Sequence, residues 1–277
     1  MEKWEFQPIG VVHSPHKYRF ETPRQGAFSV SGGEIELFSC FGGDAIADLA
    51  GFERIWVIFC FHLNQQHRWK SKVRPPFPAS GPCRSVFATR SPYRFNPIGL
   101  SCVELAGISG NRLLLRHIDM LDGTPVLDIK PYIPEADAFP NSAVGWRSEI
   151  PALPELQWEL IFSERFIAQA DFILREGGVD LANFARVQLA NEPLDDSRKR
   201  VKQLDENCWQ LNCRTWKMIF VPDAAARRVE VLEVLSNYTA EELFPGADDR
   251  YQDKELHRKF NRAMMTGKCE HGIGVFQ

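Results

Sequence analysis

The sequence predicts a mainly β N-terminal domain, folded as an antiparallel β-barrel, followed by a smaller α+β C-terminal domain. Two observations predict this arrangement. In the first half of the 277-residue chain, short alternating or apolar runs are separated by turn-sized gaps rich in Gly and Pro, as in sheets built from consecutive strands. Beyond Trp146 this pattern ends, and apolar residues with helical spacing appear. We therefore assign residues 5–147 to the β domain, 148–162 to a linker and 163–277 to the α+β domain.

Six runs in the N-terminal half have the composition and length of strands, and consecutive strands joined by short gaps favour an antiparallel barrel. Between the first two runs, residues 43–51 predict a helical turn or two, because Asp44 suits the start of a helix and Gly51 suits its end. The predicted strands are residues 33–38, 54–61, 85–89, 98–108, 112–118 and 124–133.

The C-terminal half predicts helices and one hairpin. A helix is predicted from Ser163 to Arg175, because its apolar residues fall on one face, Ser163 suits the N-cap, and Gly177 with Gly178 suits the end. The other predicted elements are a short helix at 183–190, a hairpin of residues 214–221 and 227–235, and a charged helical tail at 249–265.

The composition is that of a globular protein with a packed core, with 44% hydrophobic and 12% aromatic residues. No apolar run approaches the roughly 18 to 20 residues that a membrane-spanning helix needs, and residues 1–6 lack the apolar core of a secretion signal. The seven cysteines are odd in number and scattered, so no disulfide framework is predicted. These observations predict a cytoplasmic protein with reduced thiols and no membrane partner.

The positive charges are concentrated in one stretch. Residues 54–103 contain eight Lys or Arg and no acid. Because the whole chain has a net charge of −3, the remaining residues together carry −11. Within this stretch, Arg90 and Arg94 are interleaved with an aromatic ring and two Xaa-Pro turns just before an apolar strand. This arrangement is typical of a rigid loop that binds an anionic partner.

Several common sites are excluded. The chain has no G-x-G-x-x-G and no G-x-x-x-x-G-K-[ST] motif, which argues against a Rossmann-type methyltransferase and a phosphate loop. The spacing of Cys208, Cys213, Cys269 and His271 is poor for a zinc finger. No metal is therefore expected.

Long motifs follow one another in the N-terminal half. One runs from Phe87 to Leu100 and another from Asp119 to Pro134, and shorter ones occupy residues 8–15, 22–26, 51–62 and 73–76. Together they resemble the TsaA-like (YaeB, TrmO) family of S-adenosylmethionine-dependent tRNA methyltransferases over roughly residues 5–147.

The resemblance implies a TsaA-like β-barrel, S-adenosyl-L-methionine as the cofactor, and a homodimer with the cofactor pocket near its interface. It also implies methyl transfer to N6 of N6-threonylcarbamoyladenosine at position 37 of tRNA, in the anticodon arm. Leu63 stands where many relatives carry a polar side chain, so only its backbone is expected to bind. The family's cofactor-binding positions correspond here to Arg24, Gln25, Gly26, His62, Leu63, Arg90, Leu100, Asp122, Gly123, Thr124 and Pro125.

Local sequence leaves simpler roles open for two of these residues. Asp122 could simply be a carboxylate that stabilises a turn. His62 could simply be a histidine at the end of a strand or in a core. Arg90 and Arg94 are compatible with ordinary solvated cations, although the stretch offers them no local acid as a partner.

The implied reaction is an in-line displacement, so alignment is the first demand on the site and removal of a proton from the acceptor nitrogen is the second. The sequence shows no obvious strong base. Tyr93, His62 and Asp122 are the candidates, and Asn96 is a candidate for orienting the exocyclic N–H. The assigned catalytic set is Tyr93, Asn96 and Asp122.

The remaining cations are assigned to the RNA. A bidentate Arg suits the threonyl carboxylate, with Arg94 as the first choice and Arg74 as the second. A solvated basic face without a partner is the alternative interpretation. The cations assigned to phosphate contacts are Arg68, Lys70, Lys72 and Arg84.

Two further functions stay open at this stage. Where relatives carry Asp-Pro-Arg-Pro-x-Tyr-Arg in the C-terminal half, this chain has Glu192-Pro193-Leu194, which leaves room for a methyltransferase acting on another RNA or on a small anionic acceptor. The lack of a clear general base leaves room for a non-catalytic module that binds S-adenosylmethionine or RNA.

Overall fold

The computed structural model describes residues 4–64, 69–75, 81–150, 158–195 and 200–264. The chain divides into two compact units, Met1–Leu156 and Gln157–Gln277.

The first unit is built around a closed barrel of six antiparallel strands in the order β1-β2-β7-β6-β3-β8. Two short strands, β4 (Lys72–Val73) and β5 (Arg84–Ser85), form a separate sheet between β3 and β6 in the chain. Helix α1 (Pro134–Asp137) follows the last strand. The barrel strands are β1 (Gly10–His13), β2 (Gly32–Leu37), β3 (Arg54–Cys60), β6 (Ile98–Ser109), β7 (Arg112–Arg116) and β8 (Pro125–Pro131).

The core of this unit is the interior of the barrel. Along β3, Ile55, Val57 and Phe59 are buried while the residues between them are partly exposed, as expected when side chains alternate between the two faces of a strand. Every other barrel strand contributes at least one buried apolar side chain to the same cluster. These are Val12, Ile35, Leu37, Val103, Leu113, Leu115 and Val126.

The antiparallel order determines where the loops lie. The C-terminal ends of β1, β3 and β7 and the N-terminal ends of β2, β6 and β8 all meet at one end of the barrel, which we call the upper end. Three connections leave it, at residues 14–31, 61–97 and 117–124. At the opposite end, β6 and β7 are joined by a tight turn in which Gly110 has φ +61°. The upper end therefore collects most of the irregular chain of this unit.

The predicted antiparallel barrel is confirmed, with two local differences. Strand β1, which has only four residues, is not among the predicted strands. The prediction of a strand at 85–89 is wrong, since the chain turns at Val86–Ala88 in a 3-10 helix. There, the Thr89 hydroxyl and the Arg94 guanidinium both donate to the carbonyl of Val86, at 2.9 and 3.4 Å. These hydrogen bonds stabilise a local turn, and the segment does not pair as a β-strand.

The predicted helical turns at residues 43–51 are present as two 3-10 turns, Gly43–Ala45 and Ala47–Gly51. Asp44 lies in the first turn, as predicted.

The second unit is a five-stranded sheet with helices. Strand order is β10-β11-β12-β13-β9, and β9 lies parallel to β13 while the other pairs are antiparallel. Helix α2 packs against β13 and against α4, where the rings of Phe172 and Phe260 are 6.1 Å apart. The elements are β9 (Glu159–Phe162), α2 (Glu164–Gly177), α3 (Leu181–Leu189), β10 (Val201–Gln203), β11 (Trp209–Cys213), β12 (Trp216–Asp223), β13 (Arg228–Ser236) and α4 (Lys254–Met264).

The predicted start and end of the first long helix are confirmed. The Ser163 hydroxyl accepts the N–H of Phe166 at 3.0 Å, which satisfies one of the free donors at the helix start. Gly178 follows the helix with φ +64°, a conformation that favours glycine. The next helix begins at Leu181, two residues before the predicted start, because Asp180 accepts the N–H of Asn183 as its N-cap.

The predicted hairpin is present, and β12 extends through Asp223. Residues 159–162, which the sequence analysis places in the linker, form β9. Linker residues 151–157 lie outside the described part of the chain.

The predicted helical tail is present from Lys254 to Met264, and a buried polar cluster attaches it to the sheet. His257 of α4 is fully buried and stacks on Trp216, with ring centroids 3.6 Å apart. Its two ring nitrogens lie 2.9 Å from the Thr215 hydroxyl and 2.8 Å from the Ser236 hydroxyl. These contacts fix α4 to β12 and to the end of β13.

Within the described residues, no helix combines the length and apolarity that crossing a membrane requires. No group of three or more His, Cys, Asp or Glu in that part of the chain is arranged to hold a metal ion. The described cysteines are free thiols.

Substitution of Gly99 should destabilise the barrel. Gly99 faces Phe59 across the β3–β6 pair, and an added Cβ would lie 2.3 Å from that ring. We expect Gly99→Ala to lower the free energy of unfolding by about 1–3 kcal/mol, because the buried ring has to move. Urea denaturation would measure this.

The matched control is Gly51→Ala, where an added Cβ meets no atom within 4 Å. Equal stability of Gly99→Ala and Gly51→Ala would contradict this account of the barrel interior.

Candidate cofactor and substrate site

The structure brings the predicted cofactor residues to the upper end of the barrel. They come from all three connections that leave it and from the strand ends beside them. Residues 24–26 lie between β1 and β2, and His62 with Leu63 directly follows β3. Arg90 precedes β6, and residues 122–125 lead into β8. Because these segments are distant in the chain, only barrel closure places them at one end.

The Asp122 turn ties two of the connections together. One carboxylate oxygen of Asp122 accepts the N–H of Ser14 at 3.0 Å, and the other accepts Lys17 Nζ at 2.6 Å. Gly123 has φ +72°, a conformation that favours glycine, and donates its N–H to Val12 at 2.8 Å. Ser14 and Lys17 are not among the residues assigned from the sequence, since only the fold places them beside Asp122.

The environment of Asp122 favours its ionised form. Partial burial acts to raise the pKa of this carboxyl, but the hydrogen bonds from Lys17 and Ser14 and the charge of Lys17 outweigh it, and the pKa is lowered. Asp122 is therefore suited to hold a positive or hydrogen-bonding group. It is poorly suited to accept a proton near neutral pH.

The environment of His62 favours its neutral form. Burial lowers its pKa most, the charge of Arg19 lowers it further, and a hydrogen bond with the backbone of Cys60 opposes both. Its Nδ1 lies 3.5 Å from the hydroxyl of the buried Thr124. The imidazole is therefore mainly neutral near pH 7, the form that can accept a proton.

The turn at residues 24–26 packs tightly on the barrel. A Cβ added to Gly26 would lie 2.5 Å from the carbonyl oxygen of His117, so glycine is required for this close approach. Next to it, Gln25 accepts the guanidinium of Arg90 at 3.1 Å. This bond joins the first connection to the second.

Asp119 is a further residue near the site that was not assigned from the sequence. The pKa of the Asp119 carboxyl is raised, because burial outweighs the interactions with Ser101, Gly26 and Arg90 that act to lower it. Its Oδ1 is fully buried and has no hydrogen-bond partner among the described residues. The available signal was a carboxylate between Ile118 and Met120, two apolar residues that are buried in the structure.

The other predicted catalytic residues lie in the connection between β3 and β6. The Tyr93 ring lies 5.1 Å from Lys70 Nζ, and the backbone carbonyl of Tyr93 accepts the N–H of Lys70 at 3.2 Å. Asn96 is exposed, and its carbonyl accepts the N–H of Ile98 at 2.7 Å.

Arg94 is partly used by its own loop. Its Nη1 donates to the carbonyls of Val86 and Thr89, at 3.4 and 3.0 Å, and its guanidinium lies 5.6 Å from the ring of Phe87. Both described hydrogen bonds come from one nitrogen. The other edge of the planar fork has further donors for an anion.

The cations assigned to RNA differ in their surroundings. Arg84 pairs with Glu149 at 2.6 Å and lies 5.2 Å from the ring of Trp146, so a carboxylate from outside the acid-free stretch neutralises it. Lys70, Lys72 and Arg74 are exposed. Arg68 lies outside the described residues.

The residues at the upper end fit S-adenosyl-L-methionine by their chemistry. This cofactor has a carboxylate, an ammonium group, a ribose diol and an adenine ring, so its site needs a cation, an anion and an apolar surface. Arg90 supplies a cation and Asp122 an anion that stays ionised. Leu100 exposes 58% of its surface and offers an apolar contact.

Comparison with known proteins agrees with this fit. Residues 11–138 match the family described as tRNA-methyltransferase O N-terminal domain. The chain is 36% identical over 189 residues to a tRNA (adenine(37)-N6)-methyltransferase of Escherichia coli strain K12, which covers 64% of this chain and 80% of that protein. It is 44% identical over 131 residues to an S-adenosyl-L-methionine-binding protein of Archaeoglobus fulgidus, covering 47% of this chain and 91% of that one.

A solved structure shows the same architecture. The crystal structure of TrmO from Pseudomonas aeruginosa superposes with a TM-score of 0.61 at 28% sequence identity, covering 85% of this chain and 99% of that one. The resemblance inferred from the motifs is thus confirmed by sequence and by fold. The chain belongs to the tRNA-methyltransferase O family.

Proposed function

We propose that this protein is an S-adenosyl-L-methionine-dependent methyltransferase that methylates N6 of N6-threonylcarbamoyladenosine at position 37 of tRNA. The observation that carries the proposal is the convergence at the upper end of an ionised carboxylate, a neutral imidazole and an exposed guanidinium. The E. coli relative, named for methylation of adenine 37, is matched over 80% of its length.

The cofactor, when bound, supplies a methyl group on a sulfonium centre. In the proposed site, Arg90 holds a carboxylate and the ionised Asp122 holds an ammonium or hydroxyl group. Leu100 provides the apolar wall, and the backbone of Leu63 contributes alongside it. Arg24, Gln25 and Gly26 form the opposing turn, and Thr124 with Pro125 forms the entrance to β8.

Most of the catalytic effect is expected from alignment, because an in-line transfer needs the acceptor nitrogen held in one geometry. Asn96 and Tyr93 lie in the connection that would border the base and are proposed to orient it. Of the three candidate bases, His62 is best suited to take the N6 proton, since its imidazole is mainly neutral. Asp122 then contributes by binding the cofactor and does not accept the proton.

Recognition of the modified base is assigned to arginine. The unused edge of the Arg94 fork offers two parallel donors to the threonyl carboxylate, and Arg74 is the second candidate. The exposed Lys70 and Lys72 are proposed to contact phosphates of the anticodon arm. Arg84 contributes less, because Glu149 already pairs with it.

The assembly follows the same proposal. Residues 5–147 hold the cofactor and the modified base, and residues 163–277 help to hold the anticodon arm. We further propose a homodimer and a cytoplasmic location.

The proposed reaction can be tested directly. Purified protein is incubated with S-adenosyl-L-methionine and tRNA from cells that lack this gene, and the digested nucleosides are measured by mass spectrometry. We expect N6-threonylcarbamoyladenosine to gain one methyl group. The matched negative control is Arg90→Ala, an exposed side chain whose loss should leave the fold intact.

Cofactor binding without any methylated nucleoside would point to a non-catalytic module. Methylation of free nucleosides without a tRNA body would point to a small acceptor.

The pH dependence should identify His62 as the proton acceptor. Its pKa is below the usual value of about 6.5, so kcat/KM should be flat near neutral pH and fall at acid pH as the imidazole becomes protonated. We expect His62→Gln to lower kcat by about 100-fold or more and to lose this acid limb. An unchanged acid limb in His62→Gln would assign the proton to another group.

The exposed lysines should set the salt dependence of tRNA binding. We expect Lys70→Glu with Lys72→Glu to weaken tRNA binding and to reduce the slope of log Kd against log salt by about 1 for every phosphate that the protein no longer binds. Cofactor affinity should stay unchanged. The control is Lys130→Glu, an exposed lysine on β8 that pairs with Asp128 at 3.1 Å.

Filter binding at several salt concentrations gives the slopes. If the double variant has the slope of the wild type, these lysines have no part in binding tRNA.

A further inference from the structure

Two aromatic side chains in the connection between β3 and β6 form an exposed pair that the proposed mechanism does not use. Trp69 and Phe95 leave 47% and 67% of their surface uncovered, although their ring centroids are only 6.1 Å apart. Single exposed apolar side chains are ordinary, whereas exposed rings in contact with each other form an apolar patch. We call these two side chains the ring pair.

The geometry of the ring pair leaves flat surface for a ligand. The two ring planes meet at 82°, so the edge of one ring points at the face of the other. Such a contact covers one face of one ring, and the exposure of both side chains agrees with this. The ring pair can therefore receive another flat ring.

Backbone hydrogen bonds hold the chain segments that carry the ring pair. The N–H of Lys70, next to Trp69, donates to the carbonyl of Tyr93 at 3.2 Å. The N–H of Phe61, at the end of β3, donates to the carbonyl of Pro97 at 2.7 Å. These two bonds lie on either side of Phe95 in the chain. The ring pair is thus held in place before any ligand binds, which reduces the entropy lost on binding.

Positive charges adjoin both rings. Trp69 precedes Lys70, and Phe95 follows Arg94. Lys70 Nζ lies 5.1 Å from the ring of Tyr93, on the same side of the connection as its backbone bond to that residue. Residues 54–103 contain no acid. A ligand that complements this surface carries both negative charge and flat rings.

Single-stranded RNA has this combination of groups. Its phosphates are negative, and each unpaired base offers a face that stacks on an aromatic side chain. A duplex hides the faces of its bases. A protein partner is the poorer match, because lysine is depleted from the centres of protein interfaces.

The position of Phe95 indicates which base would stack. Phe95 lies between Arg94 and Asn96, which are proposed to bind the threonyl carboxylate and to orient the modified base. Three residues later, Ile98 begins β6 at the upper end of the barrel. A base on the ring pair would therefore be a close neighbour of the modified nucleotide in the RNA.

We propose that the ring pair of Trp69 and Phe95 stacks on an unpaired base of the anticodon loop that neighbours the modified adenosine. The ring pair distinguishes unpaired from paired RNA and is tolerant of base identity, since every base has a flat face. This inference rests on the proposed function, which supplies the RNA loop.

The test removes both rings and keeps apolar side chains in their place. For Trp69→Leu with Phe95→Leu in the full chain, the unfolding midpoint should be unchanged, because both positions are exposed. Fluorescence anisotropy with a short RNA hairpin of the anticodon-arm sequence should show Kd raised by about tenfold or more. The slope of log Kd against log salt should stay that of the wild type, because no cation is lost.

A second RNA separates stacking from attraction between charges. A fully paired duplex of similar length should bind the double variant and the wild type equally. In the hairpin, a fluorescent adenine analogue at the loop position beside the modified nucleotide should be quenched on binding to the wild type and less quenched on binding to the double variant.

Three protein variants complete the design. Trp69→Phe keeps two rings and should retain most of the wild-type affinity. Phe139→Leu is the matched control, since Phe139 is 69% exposed and follows α1, beyond the end of β8 that lies opposite the upper end. It should change no affinity. Phe95→Leu alone covers the case in which the double variant does not fold, and it should raise Kd for the hairpin in the same direction.

The outcomes separate this proposal from the proposed function. Wild-type hairpin affinity in the ring variants, or an equal loss for hairpin and duplex, overturns the stacking role and leaves the proposed function standing. Analytical ultracentrifugation gives a further outcome: a wild-type dimer that the ring variants dissociate would make the ring pair an interface between copies, which also overturns stacking. Loss of hairpin affinity and quenching together with a wild type that methylates no tRNA would keep the stacking role and overturn the proposed function.

Discussion

Closure of the barrel between β1 and β8 is the interaction on which the rest of the first unit depends. The two strands share a short register, in which Gly10 faces Val126 and Val11 faces Pro125. The Asp122 turn extends this pairing through its bonds to Ser14 and Lys17. The first and last strands are thereby joined at the upper end, where the proposed cofactor residues lie. Without that closure, the first connection, residues 14–31, would not be held beside the last, residues 117–124.

Two carboxylates three residues apart are placed in opposite environments. Asp122 lies partly exposed beside Lys17, and its pKa is lowered. Burial raises the pKa of Asp119, whose Oδ1 is fully buried and has no hydrogen-bond partner among the described residues. The same segment thus carries one carboxyl whose ionised form is favoured and one whose ionised form is disfavoured.

The fold also divides a cluster of positive charges that the sequence presents as uniform. Glu149, from beyond the acid-free stretch, pairs with Arg84, and backbone carbonyls occupy one nitrogen of Arg94. Lys70 and Lys72 remain exposed. The cations therefore differ in their surroundings: Arg84 and Arg94 bond to groups of their own unit, while the positive charges of the two exposed lysines face solvent.

Local chemistry is what the sequence determined by itself. Alternation of apolar residues predicts β3, the Ser163 cap predicts the start of α2, and long ordered motifs predict the family, because each signal lies within a few neighbouring residues. Long-range contacts were decided only by the tertiary structure. Residues 159–162 form a strand because they pair in parallel with β13. Residues 86–88 form a turn in which the side chains of Thr89 and Arg94 donate hydrogen bonds to the carbonyl of Val86.

The surroundings of Asp119 and Asp122 were likewise decided only by the tertiary structure. Hydrogen-bond partners and burial set the charge of a carboxyl, and both come from segments that are remote in the chain. The sequence determined which ionisable groups are available, and the closed barrel decided which of them are buried, paired or exposed at the upper end.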